Sequence, residues 1–103
     1  MGNSSKMKFS IITVVKNDIS KIGLTIKSLK NQSFKNYEHI IFDGESTDGT
    51  SEFLKNISNK KTLHFREKDK SVYDALNKSF KKAKGEYFIV LHSGDFFYSK
   101  HSL

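Results

Sequence analysis

A chain of 103 residues holds one domain at most, and 36% hydrophobic with 13% aromatic residues gives that domain a modest core. No proline, six glycines and no cysteine argue against a linker or low-complexity chain, a disulfide framework and a thiolate metal site. No run nears the ~18 apolar residues of a membrane helix. The net charge of +7, from 17 lysines and the single Arg66 against 11 acids, suits an anionic partner. Scattered lysines and a lone guanidinium nevertheless disfavour nucleic acid.

Residues 1–8 read as a leader or frayed end, expected to be disordered, and they lack the apolar block of a secretory signal. A cytoplasmic location is the resulting expectation. From Phe9 to Val15, "FSIITVV" is a β-branched run suited to a strand buried on both faces. "SKIGLTIKSLKNQS" then spaces Ile22, Ile26 and Leu29 as one stripe of an amphipathic helix, with Asp18 or Ser20 as its cap. "YEHIIF" is a second strand ending at Asp43, and "TSEFLKNI" a second helix with Asp48 as N-cap and Glu52 in its first turn.

"TLHF" is a weaker third strand. "SVYDALNKSFKKAKG" is a third helix, with Val72, Ala75, Leu76, Phe80 and Ala83 on one face and Gly85 as the C-terminal glycine. "EYFIVL" forms a fourth strand before "HSGDFFY". Strands alternating with helices imply right-handed βαβ units, hence an α/β fold with a parallel sheet and helices on both faces. In such sheets ligands bind beyond the carboxyl ends of the strands. "VKND", "DGESTDG", "REKDK" and "HSGD" each follow a strand, so they are expected to converge on one edge.

No GxxxxGK[ST], GxGxxG or HExxH occurs, which disfavours common NTPases, dinucleotide dehydrogenases and zinc proteases. The four histidines are not spaced as a ligand set; His39 and His101 read as structural or solvent-facing. What remains is Asp43, Asp48, Asp69, Asp74 and Asp95, oxygen donors suited to Mg²⁺ or Mn²⁺ bridging to a substrate phosphate. By spacing alone Asp95 is equally a metal ligand or a turn aspartate after Gly94.

"SIITVVKND", "YEHIIFDGESTDGT", "EKDKSVYDALNKS" and "GEYFIVLHSGDFFY" together resemble the N-terminal half of family 2 glycosyltransferases of the GT-A type, as found in bacterial surface-polysaccharide synthesis. The likeness runs from Phe9 to about Tyr98. It implies a truncated, Rossmann-like GT-A core over residues 9–103, binding a nucleotide-diphosphate-sugar donor, commonly UDP-linked, with Mn²⁺ or Mg²⁺. On this resemblance Thr13, Val15 and Asn17 line the nucleoside pocket, and Asp43 accepts a hydrogen bond from base or ribose. Lys68, Lys70 and Asp74 border base and diphosphate. Ser93 and Gly94 occupy a DxD-like motif whose last aspartate, Asp95, holds the cation; Gly94 replaces the first acid of many relatives. Asp48 reads as a structural cap.

The resemblance further implies inverting transfer to a hydroxyl of a glycan or lipid-linked acceptor, with the general base in a second half beyond residue 103. Membrane association and self-association through the exposed side of the sheet are the further expectations. The competing reading is a non-catalytic nucleotide- or protein-binding homologue.

Overall fold

The computed structural model describes residues 8–68 and 72–94. The expectations for residues 1–7, Asp69, Lys70, Ser71, Asp95 and His101 therefore lie outside the described residues. Seven elements alternate along the chain: β1 (Phe9–Val15), α1 (Ile19–Lys30), β2 (Tyr37–Asp43), α2 (Thr50–Ile57), β3 (Thr62–Arg66), α3 (Val72–Lys82) and β4 (Tyr87–Val90). The strands form one parallel sheet in the order β3-β2-β1-β4. This is the α/β, parallel-sheet architecture that the alternating pattern implies.

The central strands show why such a sequence must be covered on both sides. Every residue of β2 is buried, although three of its seven are polar or charged in type: Glu38, His39 and Asp43. Each has a partner, as buried polar groups require. Glu38 Oε2 accepts from Ser10 Oγ and the Lys84 N–H, both at 2.6 Å. His39 Nε2 lies 2.7 Å from Thr13 Oγ1.

The parallel register assigns the two faces. Ile11, Thr13 and Val15 stand opposite His39, Ile41 and Asp43, and this face meets α1 and α2 through a cluster of Val15, Ile22, Ile26, Ile41 and Leu54. α3 covers the other face, where Lys78 and Lys82 lie over the rings of Phe42 and Phe65.

The third helix keeps Ala75 on the expected buried face but not Phe80. Among its described side chains Ala75 and Ser79 are wholly buried, whereas Phe80 is 37% exposed. Small residues let the helix approach the sheet closely, and Ser79 satisfies itself by donating to the Ala75 carbonyl at 2.8 Å. Phe80 instead reaches sideways to Phe88 of β4, ring to ring at 5.5 Å. Gly85 is not the helix cap either, since α3 ends at Lys82. Its N–H donates to Ser10 Oγ at 2.8 Å, and a Cβ there would stand 2.6 Å from the Ser10 backbone nitrogen. Close backbone approach, not a left-handed turn, is what calls for glycine at this position.

Candidate functional site at the strand tips

Parallel strands bring all their carboxyl ends to one edge. Val15 pairs with Asp43 and Asp43 with Arg66, while the ladder between β1 and β4 continues through Leu91, whose N–H donates to Ile12 O at 2.9 Å. The loops after β1, β2, β3 and β4 therefore meet there, as the sequence pattern implies.

The first two loops are laced together. Asn17, held at φ +53°, accepts the Thr47 N–H on its Oδ1 at 2.7 Å and donates its own N–H to Ser46 Oγ at 2.8 Å. A non-glycine residue in this region is uncommon and concentrates at functional sites. Glu45, at φ +60°, is a second instance on the same edge. Gly44 donates to the Val15 carbonyl at 3.0 Å.

Asp48 performs a different capping role from the expected one. The residue at the N-cap of α2 is Gly49, at φ +101°. From one position earlier, Asp48 Oδ1 accepts the Thr50 N–H at 3.0 Å and the Thr50 hydroxyl. Its Oδ2 accepts the Ile19 N–H at 3.1 Å. One carboxylate thus satisfies the starts of two helices, where negative charge is favourable. These hydrogen bonds, that from the Thr50 hydroxyl foremost, hold its pKa below the ordinary carboxylate value. Asp18, at the N-cap position of α1, makes no side-chain cap; its Oδ2 accepts the Ser93 hydroxyl at 2.7 Å and so ties the β4 exit to the β1 loop. Gly94, at φ +95°, donates to Thr25 Oγ1 at 2.8 Å.

Asp43 lies inside a hydrogen-bonded corner between β2, α2 and β3. Its side chain has no exposed surface. Oδ1 accepts the Ser46 N–H at 2.9 Å, and Oδ2 takes the Ser51 hydroxyl and stands 3.0 Å from His64 Nε2. Burial pushes its pKa up, but the bonds from Ser51, Ser46 and His64 outweigh it and leave the net shift downward. The alternation of β2 turns this carboxylate to the α2 face of the sheet, where three donors hold it. The side chains of Thr13 and Val15 are turned the same way and are 0% and 3% exposed.

Arg66, His64 and Ser51 are the residues that sequence reasoning missed at this corner. Arg66 Nε donates to Ser51 Oγ at 3.0 Å, and one of its terminal nitrogens lies 3.8 Å from Glu45 Oε2. Both members of that ion pair are 46% exposed, so it adds little stability. With Glu52 and Lys55 they line a pocket of about 390 Å³ between α2 and β3. The signal was present: in "TLHFR" His64 and Arg66 share one face by strand alternation, the face of Asp43.

Of the remaining expected site residues, Lys68 is exposed in the loop after β3, and Asp74 pairs with Lys78 at 3.3 Å in the first turn of α3. Lys70 and Asp95 lie outside the described residues. Among the described residues no three His, Asp or Glu gather as a metal cage; an ion held by one carboxylate and a diphosphate does not need one.

Against this geometry, the family described as Glycosyl transferase family 2 matches residues 10–103. The chain belongs to that family. This glycosyltransferase domain is 34% identical over 89 residues to an uncharacterized glycosyltransferase of Mycobacterium tuberculosis, covering 85% of this chain and 34% of that one. It is 36% identical over 88 residues to a dolichyl N-acetyl-α-D-glucosaminyl phosphate 3-β-D-2,3-diacetamido-2,3-dideoxy-β-D-glucuronosyltransferase of Methanococcus voltae, covering 79% and 27%. Among solved structures, S. aureus TarS in complex with UDP superposes with a TM-score of 0.83 at 27% identity, over 93% of this chain and 30% of TarS. The chain thus spans about a third of the length of these proteins.

Proposed function

We propose that this chain is the donor-binding half of an enzyme that moves a sugar from a nucleotide-diphosphate-sugar, UDP-linked, to an acceptor hydroxyl in surface polysaccharide synthesis. The observation that carries the reading is the laced strand-tip edge in a chain whose fold superposes on UDP-bound TarS over 93% of its length. In this reading Asn17 and the backbone after β1 and β2 frame the nucleoside. Lys68 and Lys70 are the cations assigned to the diphosphate, and Asp74 braces Lys68 through Lys78. Ser93 and Gly94 set the turn that leads to Asp95, the carboxylate assigned to a cation.

The reaction would join the acceptor oxygen to the anomeric carbon as the bond to the nucleoside diphosphate breaks, with inversion. The hydroxyl proton would pass to a carboxylate base supplied by the part of the protein beyond this chain. Mn²⁺ or Mg²⁺, when bound, supplies neutralisation of charge on the departing diphosphate. A glycan or lipid-linked acceptor and a cytoplasmic site of action at the membrane's inner face complete the proposal. β4 pairs only with β1 among the described strands, and Tyr87, Phe88 and Val90 are exposed on it; self-association of the isolated chain through this edge is part of the same proposal.

Titration calorimetry with UDP, UDP-sugars and GDP in the presence of Mn²⁺ tests it. Saturable binding of a nucleoside diphosphate that weakens on chelation is the expected result, and its absence for every nucleotide overturns the reading. Binding by the longer protein with no transfer to any acceptor would favour the non-catalytic homologue.

A further inference from the structure

α1 has one face that no described residue covers. Its buried stripe is Ile22, Thr25, Ile26 and Leu29. On the opposite side Ser20, Leu24, Lys27 and Asn31 follow one line along the helix, all exposed, with Lys21 and Lys30 exposed on its flanks. Leu24 is 56% exposed in the middle of this line. No acid occurs between Ile19 and Asn36. The nearest acids in sequence, Asp18 and Glu38, are committed to Ser93 and to Ser10.

The lysines here differ from those of α3. Lys78 is paired with Glu67 and Asp74 and lies over Phe42; Lys82 lies over Phe65. Lys21, Lys27 and Lys30 form no ion pair with a described residue. A cationic strip with no described acid paired to it, set around an exposed leucine, suits a helix face that lies on an anionic lipid surface, the charges held by headgroups and the apolar side chain in the acyl boundary.

We propose that the outer face of α1 docks on anionic phospholipid, with Lys21, Lys27 and Lys30 binding headgroups and Leu24 inserting between them. The stem of Lys21 runs beside Gly94, whose added Cβ would lie 3.3 Å from Lys21 Cδ, so docking would hold the strand-tip edge next to the membrane. This inference uses no nucleotide and stands or falls separately from the donor reading.

The test is co-sedimentation of the whole chain with phosphatidylcholine vesicles, with and without phosphatidylglycerol, at low and high salt. Binding is expected only with phosphatidylglycerol, weakening with salt. Replacing Lys21, Lys27 and Lys30 together by Gln is expected to lower partitioning ~100-fold, at about fivefold per lysine near the surface. A control that replaces Lys60, Lys81 and Lys84 by Gln removes the same charge elsewhere and is expected to keep most of the binding. Leu24→Ser is expected to lose several-fold. Equal loss in both triple variants, no dependence on phosphatidylglycerol, or tighter binding to duplex DNA than to vesicles each overturns the proposal; circular dichroism confirms that the variants are folded.

Discussion

The buried imidazole of His39 makes the protein's stability fall steeply in mild acid. His39 is 1% exposed between β1 and β2, with Thr13 as its hydrogen-bond partner. Burial pushes its pKa from 6.5 down to about 3. The unfolded chain therefore binds a proton that the folded chain refuses, and stability declines as pH falls from 6.5 toward 3. Linkage between those two values gives a loss of about 2 kcal/mol at pH ~5 and about 3 at pH ~4, relative to neutral solution. With a urea m-value of about 1–2 kcal/mol/M for a chain of this size, the midpoint drops by roughly 1–2 M at pH ~5. Urea unfolding followed by far-UV circular dichroism across this range measures it directly. Replacing the pair by apolar groups of similar shape, Thr13→Val with His39→Leu, removes the titration without leaving an orphaned hydroxyl. That double variant should keep its neutral stability and lose most of the slope above pH ~4.5. A flat wild-type midpoint, or an unchanged slope in the double variant, would show that the imidazole is not held neutral by burial.

Three substitutions probe the corner and the sheet's other end. Asp43→Ala strands the Ser46 N–H, the Ser51 hydroxyl and His64 and is expected to cost about 3–5 kcal/mol in urea unfolding; a loss under 1 would mean the corner rearranges around it. Gly85→Ala drives a methyl group to 2.6 Å from the Ser10 backbone, and thermal unfolding should register about 1–3 kcal/mol of destabilisation. Glu45→Gly relieves a left-handed residue at φ +60° and should raise stability by roughly 0.5–1 kcal/mol, visible as a higher melting temperature.

The elements were legible because each carries its own period. "FSIITVV" and "TSEFLKNI" match β1 and α2 to the residue, since the first carries five β-branched residues in succession and the second is bounded by a turn glycine. α1 stops at Lys30, three residues earlier than the pattern reads; Asn31 and Gln32 close the turn by donating to Lys27 and Leu29 carbonyls, and sequence does not record where such bonds end. On α3 the periodicity places Ala75 on the buried face, where it lies, but it includes the exposed Phe80 and leaves out Ser79, because it rewards large apolar residues and not closeness to the sheet. The site was legible as an edge but not as a set of orientations. A carboxylate at the end of a strand reads the same whether it faces solvent or a neighbouring helix. Register decides it, and register pairs Asp43 with Arg66 and sets it beside His64 and Ser51.

That orientation determines which residues can report on donor binding. Asp43 ties β2 to α2 and β3, and Asn17 ties the first loop to the second, so altering either changes the shape of the edge along with any contact to a ligand. Lys68 is separable. It is exposed, its carbonyl accepts Lys78 Nζ at 3.3 Å, and its side chain makes no ion pair with a described residue. Lys68→Ala should leave the unfolding free energy within about 0.5 kcal/mol of the parent, while nucleoside-diphosphate binding weakens by about tenfold for one lost charge-assisted contact. The corresponding nucleoside, which lacks the diphosphate, should bind the variant and the parent alike. Loss of nucleoside affinity in step with the diphosphate would place Lys68 at the base rather than at the phosphates, and unchanged affinity for both would remove it from the site.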